Sequence, residues 1–253
     1  MCMHMHMCMS LPCGAPYLAT PPYLAAPPHL VHTLTSFFRG LAGITAGGGD
    51  YLCAGTSSGE IALLSCNAGS FGHPVVLKEQ GTAICDLDAA PHPENPDECL
   101  LASAASDGQL LLLMVGPGGS YGAYASFGGD PNALCTALRL RKQWLLSAYC
   151  TGHVRLHDML SKSLVVQVTA HARWINAIDV HPTKDIFATA AEDCTVSVWQ
   201  LPEATHAPQL KHLSAVVVPD GLLCGVGFAG GAARDHVVCT AYDVDALHSF
   251  ALE

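Results

Sequence analysis

HARWINAIDVHPTKDIFATAAEDCTVSVWQ, residues 171–200, is the stretch that decides how this chain folds. Trp174 to Val180 is a β-rich run that places Ile175, Ala177 and Asp179 on one side and Asn176, Ile178 and Val180 on the other. His181-Pro182 breaks it. A second run, Ile186 to Ala190, is joined through Glu192-Asp193-Cys194 to a third, Thr195 to Trp199, and that connection is only long enough for a hairpin turn.

The same strand–turn–strand unit recurs along the chain. Tyr51 to Thr56 turns at Ser57-Ser58-Gly59 into Glu60 to Leu64, and Cys99 to Ala104 turns at Ala105 to Gly108 into Gln109 to Met114. Trp144 to Tyr149 turns at Cys150-Thr151-Gly152 into His153 to His157, and His236 to Thr240 turns at Ala241-Tyr242-Asp243 into Ala246 to Phe250. Measured at Gly59, Gly108, Gly152, Cys194 and Val244, the copies are spaced by 49, 44, 42 and 50 residues. A period of about 40–45 residues plus insertions is that of a β-propeller blade. A strand-like run precedes each of the later copies: Ala83 to Asp88, Ala137 to Leu140, Trp174 to Val180 and Cys224 to Phe228. The fourth strand is weak everywhere except Leu164 to Val168, and the Gly-rich stretches Gly116 to Gly129 and Gly225 to Ala233 read as loops.

On these residues the chain resembles the WD40-repeat family, whose four-stranded blades surround a central channel. The resemblance implies a hydrogen-bonded tetrad in the fourth copy, with His171 before the first strand, Thr189 in the second, Asp193 in the turn and Trp199 in the third. Ala170 and Gln200 stand where that family usually has Gly and Asp. Beyond the generic repeat, Trp144 to His157, Val168 to Arg173, Ala191 to Asp193, Gly221 to Phe228 and Thr240 to Phe250 are similar to the carboxy-terminal propeller of one narrower group of WD-repeat proteins. The likeness runs from roughly Leu41 to Leu252. The expected fold is therefore all-β: a WD40-type propeller over residues 34–253 with five recognisable blades, read as an N-terminally truncated piece of a seven-bladed ring.

Residues 1–33 carry no blade pattern and read as a low-complexity leader. Its opening, Met-Cys-Met-His-Met-His-Met-Cys-Met, alternates thioether, thiol and imidazole groups that would suit a soft cation such as Cu(I). Strict alternation is equally what a repetitive DNA stretch yields when translated from a misplaced start. Neither reading gives the propeller a cofactor, and none is expected.

Composition narrows the function classes. The chain of 253 residues carries 11 basic and 21 acidic side chains, a formal charge of −10, and has no Lys/Arg cluster, which argues against a nucleic-acid groove. No apolar run approaches the roughly 20 residues of a membrane helix, and no charged-then-apolar leader marks export. Nine cysteines from Cys53 to Cys239 form no Cys-x-x-Cys pair and read as small core side chains. A soluble, cytoplasmic protein is expected, and the resemblance allows a role in cytoplasmic signalling or in a ciliary assembly.

Two chemistries compete with plain binding. Gly55-Thr56-Ser57-Ser58-Gly59 satisfies the G-x-S-x-G nucleophile elbow of a serine hydrolase with Ser57 as nucleophile, but that elbow must open a helix, and Glu60 to Leu64 reads as a strand. His153 and His157 share a strand face without a third ligand. Binding through loop ends remains, with no small-molecule substrate. The residues placed to contact a protein partner are Arg155, Arg173, Trp174, Tyr149 and Tyr242, Trp and Arg being hot-spot types. Trp144 and Trp174 stand at strand starts, where such a ring is more often packed between blades.

Overall fold

The computed structural model describes residues 38–46, 49–67, 70–72, 75–95, 97–130, 132–203, 208–230 and 235–252. Their strands form five antiparallel sheets in succession along the chain. The first holds β1 (Phe38–Ala46), β2 (Gly49–Thr56) and β3 (Glu60–Asn67), with β4 (Ser70–Phe71) and β5 (Val75–Glu79) both on β3. The second runs β6 (Ile84–Pro91), β7 (Cys99–Ala105), β8 (Leu110–Val115) and β9 (Tyr121–Phe127); the third β10 (Cys135–Arg141), β11 (Trp144–Tyr149), β12 (His153–Asp158) and β13 (Ser163–Thr169). The fourth holds β14 (Ile175–Val180), β15 (Ile186–Ala191), β16 (Thr195–Gln200) and β17 (Lys211–Val217), and the fifth β18 (Leu223–Gly230), β19 (Asp235–Ala241) and β20 (Leu247–Ala251). The second to fifth sheets are simple meanders, and the first strands β1, β6, β10, β14 and β18 pack on one another in chain order as the inner wall of a propeller.

The core lies between blades. Four apolar clusters fill the four spaces: Cys53, Ile61, Leu87 and Leu101 between blades 1 and 2, Leu112, Leu138, Leu145 and Tyr149 between 2 and 3, Trp144, Leu146, Ile178 and Phe187 between 3 and 4, and Ala188, Val196, Val237 and Cys239 between 4 and 5. Both faces of a middle strand are therefore covered. That is why Leu145 and Leu146, on opposite faces of β11, are equally buried, and why the middle strands read as continuous apolar runs.

Each second hairpin closes on a left-handed residue: Gly59, Gly108, Gly152, Cys194 and Asp243 all have positive φ. At Gly152 (φ 79°) a Cβ would also lie 2.1 Å from the carbonyl oxygen of His171, so this turn accepts only glycine. In the fifth blade the left-handed residue is Asp243, one position before the Val244 used to measure the repeat, because that hairpin is a residue longer and Leu247 pairs with Thr240.

Three local readings are corrected. Gly116 to Gly129 contains strand β9, and Gly225 to Gly230 belongs to β18. Strand pairing uses backbone groups that glycine supplies as well as any residue, and Gly225 is held so close to Thr240 Oγ1 that a Cβ would come within 2.7 Å. The simple alternation read along residues 174–180 fails because a bulge at Asn176 shifts its phase: Ile175 and Ile178, three apart, sit in one cluster. The same bulge falls in every inner strand, at Gly40, Cys85, Thr136, Asn176 and Cys224. It turns a side chain towards the next blade, where Thr136 Oγ1 donates to the Ile175 carbonyl at 2.6 Å and Asn176 Nδ2 to the Leu223 carbonyl at 2.8 Å.

Candidate functional site

Strand β15 and the two turns flanking blade 4 hold a buried polar network. His171 lies four residues before β14, held by its own amide and that of Ala170 donating to the Gly152 carbonyl at 3.0 and 2.9 Å. Its Nδ1 is 3.0 Å from Asp193 Oδ1, and its Nε2 2.8 Å from Thr189 Oγ1. Burial pushes the His171 pKa down, so the ring is neutral, and Nδ1–H donates to the carboxylate while Nε2 accepts from the hydroxyl. Asp193 also accepts the amides of Ala172 at 2.9 Å and Thr195 at 3.1 Å. Trp199 does not join them. Its indole N–H is buried without a partner among the described residues, and the ring stacks on Phe187 at 6.3 Å and meets His212 edge-on at 4.8 Å. The structure thus brings three of the four expected tetrad residues together.

A reduced form of this network was missed in the sequence. Gln80 precedes Ile84 by four residues as His171 precedes Ile175, and the hydroxyl of Ser103 donates to its Oε1 at 2.8 Å. The signal was present as spacing, hidden because Gln stands where His was sought.

The inner wall carries a second polar cluster that no local motif announced. Asp88, Arg139 and Asp179 each lie three residues past the bulge of their strand, at one level of three successive blades. Arg139 reaches Asp86 at 3.0 Å and Asp179 at 3.7 Å. Asp86 accepts the Leu138 amide at 3.0 Å, Asp88 the Leu140 amide at 2.7 Å and Asp179 the Phe228 amide at 3.1 Å, so carboxylates of one blade cap backbone donors of the next. Desolvation outweighs these partners and raises Asp88 to about 6.

His157 occupies in β12 the place Trp199 has in β16, pressed against Phe127 at a ring distance of 4.4 Å. Burial lowers its pKa to about 4. Between the ordinary value of 6.5 and about 4 the unfolded chain takes up a proton the folded chain refuses, so stability falls as pH drops through that window, by on the order of 3 kcal/mol in total. Asp88 acts oppositely: between about 6 and 3.8 the folded state binds the proton first, and stability rises as pH falls. Chemical denaturation from pH 7 to 4 is expected to show a steeper acid loss in Asp88→Asn and a shallower one in His157→Leu than in the parent chain. Superimposable curves would refute the assignment.

The residues expected to meet a partner separate into two groups. Tyr149, only 1% exposed, is a core residue: its ring packs between blades 2 and 3, its hydroxyl accepts from Ser147 at 3.2 Å, and the Arg155 guanidinium covers the ring at 4.4 Å. Arg155 is committed to Gln167 at 2.8 Å, and Trp144 is buried. Tyr149 and Arg155 thus do not stand ready for a partner: the facing blade covers Tyr149, and Arg155 is engaged within its own blade by Gln167 and the Tyr149 ring. Arg173 is exposed, and Trp174 and Tyr242 are 46% and 62% exposed on the loop edge of blades 4 and 5.

Nothing in the fold favours the hydrolase alternative: Ser57 sits in an exposed hairpin turn, and Gly59 leads into strand β3 where an elbow needs a helix. Residues 1–9, the candidate soft-metal leader, lie outside the described residues. Among the described residues no cluster of three or more His, Cys, Asp or Glu could hold a metal, and no helix is long and apolar enough to cross a membrane.

Five consecutive antiparallel blades, three of them four-stranded, inner strands around a common wall and a His–Thr–Asp network in one blade define a β-propeller of the WD-repeat class. The chain belongs to the WDR54 family, whose sequence profile matches residues 31–252. It is 28% identical over 220 residues to WD repeat-containing protein 54 of Homo sapiens and 28% identical over 221 residues to that of Mus musculus, covering 85% of this chain and 63% of each relative. The chain therefore spans less than two thirds of the length of these relatives. Among solved structures it is similar in fold to the β-propeller domain of Cps50 (Swd1) from Myceliophteria thermophila, with a TM-score of 0.66 at 15% identity over 85% of this chain and 68% of that one. The computationally designed Ika4 protein gives a TM-score of 0.54 at 20% identity over 67% of this chain and 94% of that one.

Proposed function

We propose that this chain is a non-catalytic scaffold that docks protein partners on the loop edge of its fourth and fifth blades, in the cytoplasm, within a signalling or ciliary assembly. The observation that carries the reading is the exposure of Trp174 and Tyr242, beside Arg173, on one edge whose turns are pinned from beneath by Asp193 and His171. Large aromatic side chains on a rigid edge bind with little ordering cost. The free thiols of Cys53, Cys66, Cys135, Cys150, Cys194, Cys224 and Cys239 support a reducing compartment. The signalling or ciliary setting rests on family likeness alone.

Quantitative affinity purification from cells tests this, comparing the full chain with its Trp174→Ala, Tyr242→Ala double variant. A defined subset of partners should be lost while the melting temperature stays unchanged, since both rings are exposed. An identical partner set would overturn the reading.

A further inference from the structure

The loop edge of blades 4 and 5 has a chemistry of its own. Trp174 and Leu222 occupy equivalent places, each immediately before its inner strand, and their carbonyls accept the amides of Glu192 at 2.9 Å and Tyr242 at 2.7 Å. The segment joining the two blades is held at both ends: the Val218 amide donates to the Cys194 carbonyl of blade 4 at 2.8 Å, and Gly221 lies against Ala241 of blade 5. Across the junction, burial and then the charge of Glu192 raise the Cys224 thiol pKa. Trp174, Leu222, Tyr242 and Val244 are consequently exposed apolar groups on one continuous edge.

The charges on that edge are one-sided. Glu192, Asp220, Asp243 and Asp245 border the apolar groups, the last three exposed, and Arg173 is the single cation among the described residues of these loops. The neighbouring lysines lie at the other end of the strands: Lys184, between β14 and β15, pairs with Asp235 at 2.6 Å, and Lys211 pairs with Gln200 at the opposite end of β16 from the Cys194 turn. Asp220 and Asp243 both have positive φ, 58° in each case, so both acids stand in tight turns with their positions fixed. An apolar strip bordered by fixed carboxylates attracts a chain that offers apolar side chains between cations, and it repels nucleic acid and anionic lipid.

We propose that this edge is a docking site for a protein segment in which Leu, Phe or Trp side chains alternate with Lys or Arg: the apolar groups cover Trp174, Leu222, Tyr242 and Val244, and the cations pair with Asp243, Asp245 and Asp220. The inference deepens the scaffold reading above and rests on it.

The test is selection of random 12-residue peptides on the full chain, followed by fluorescence anisotropy of the enriched sequences with the parent, an Asp243→Asn, Asp245→Asn variant and a Trp174→Ala, Tyr242→Ala variant. The expected result is enrichment of peptides combining Lys/Arg with Leu/Phe/Trp. Their affinity should fall about tenfold in the Asn variant, less at high salt, and further in the Ala variant. Enrichment of acidic or uncharged peptides that still need Trp174 and Tyr242 would overturn the charge assignment and leave the scaffold reading standing. Peptides bound equally by all three proteins, or no enrichment, would overturn the site itself.

Discussion

Arg139→Met is expected to cost about 3 kcal/mol of folding stability, lowering the melting temperature by about 6–12 °C. The guanidinium stands between Asp86 and Asp179, with Asp88 at the same level of the neighbouring strand, so its removal leaves three carboxylates facing one another on a half-buried wall. Methionine retains the length and apolar stem of the side chain, so the loss comes from charge and hydrogen bonding. A second substitution separates the causes. Asp88→Asn in the Arg139→Met background should recover part of the loss, because it removes one of the unpaired charges while keeping an acceptor for the Leu140 amide. A parent-like melting temperature for Arg139→Met, measured by calorimetry, would mean the cluster is fully solvated and holds nothing together.

Asp193→Ala is the second large effect, with an expected cost of on the order of 2–4 kcal/mol. Alanine removes the acceptor of His171 Nδ1–H and of the Ala172 and Thr195 amides at once, and the imidazole remains buried with a proton it cannot place. Asp193→Asn keeps an acceptor oxygen and should lose roughly half as much. Because β15 and β16 leave this turn, hydrogen exchange at Thr195 and Val196 should accelerate more than at β7 or β8, across the molecule. An unchanged melting curve for Asp193→Ala would contradict the network.

The exposed face of blade 5 follows from the same packing. In blade 4 Ala188, Ala190, Val196 and Val198 are buried against blade 5. The corresponding positions of blade 5 are Val238, Thr240, Leu247 and Ser249, and Leu247 is 72% exposed. Among the described residues nothing packs on this face as blade 5 packs on blade 4.

The repeat, the strand–turn–strand pairs and the propeller class were legible in the sequence because their causes are local. A left-handed residue at Gly59, Gly108, Gly152 and Cys194 fixes each hairpin, and alternation of side chains fixes each strand. His171, Thr189 and Asp193 were legible for the same reason: they are anchored to one hairpin at fixed spacings. Tertiary structure alone decided the rest. It buried Trp144 under the next blade and left Trp174, also at a strand start, in solvent. It enclosed Tyr149, and it brought Asp86, Asp88, Arg139 and Asp179 together from three sheets about 40–50 residues apart. The physical reason is that a blade's own residues specify its hydrogen bonds, whereas burial, pKa and contact across the inner wall depend on which neighbouring blade covers each face.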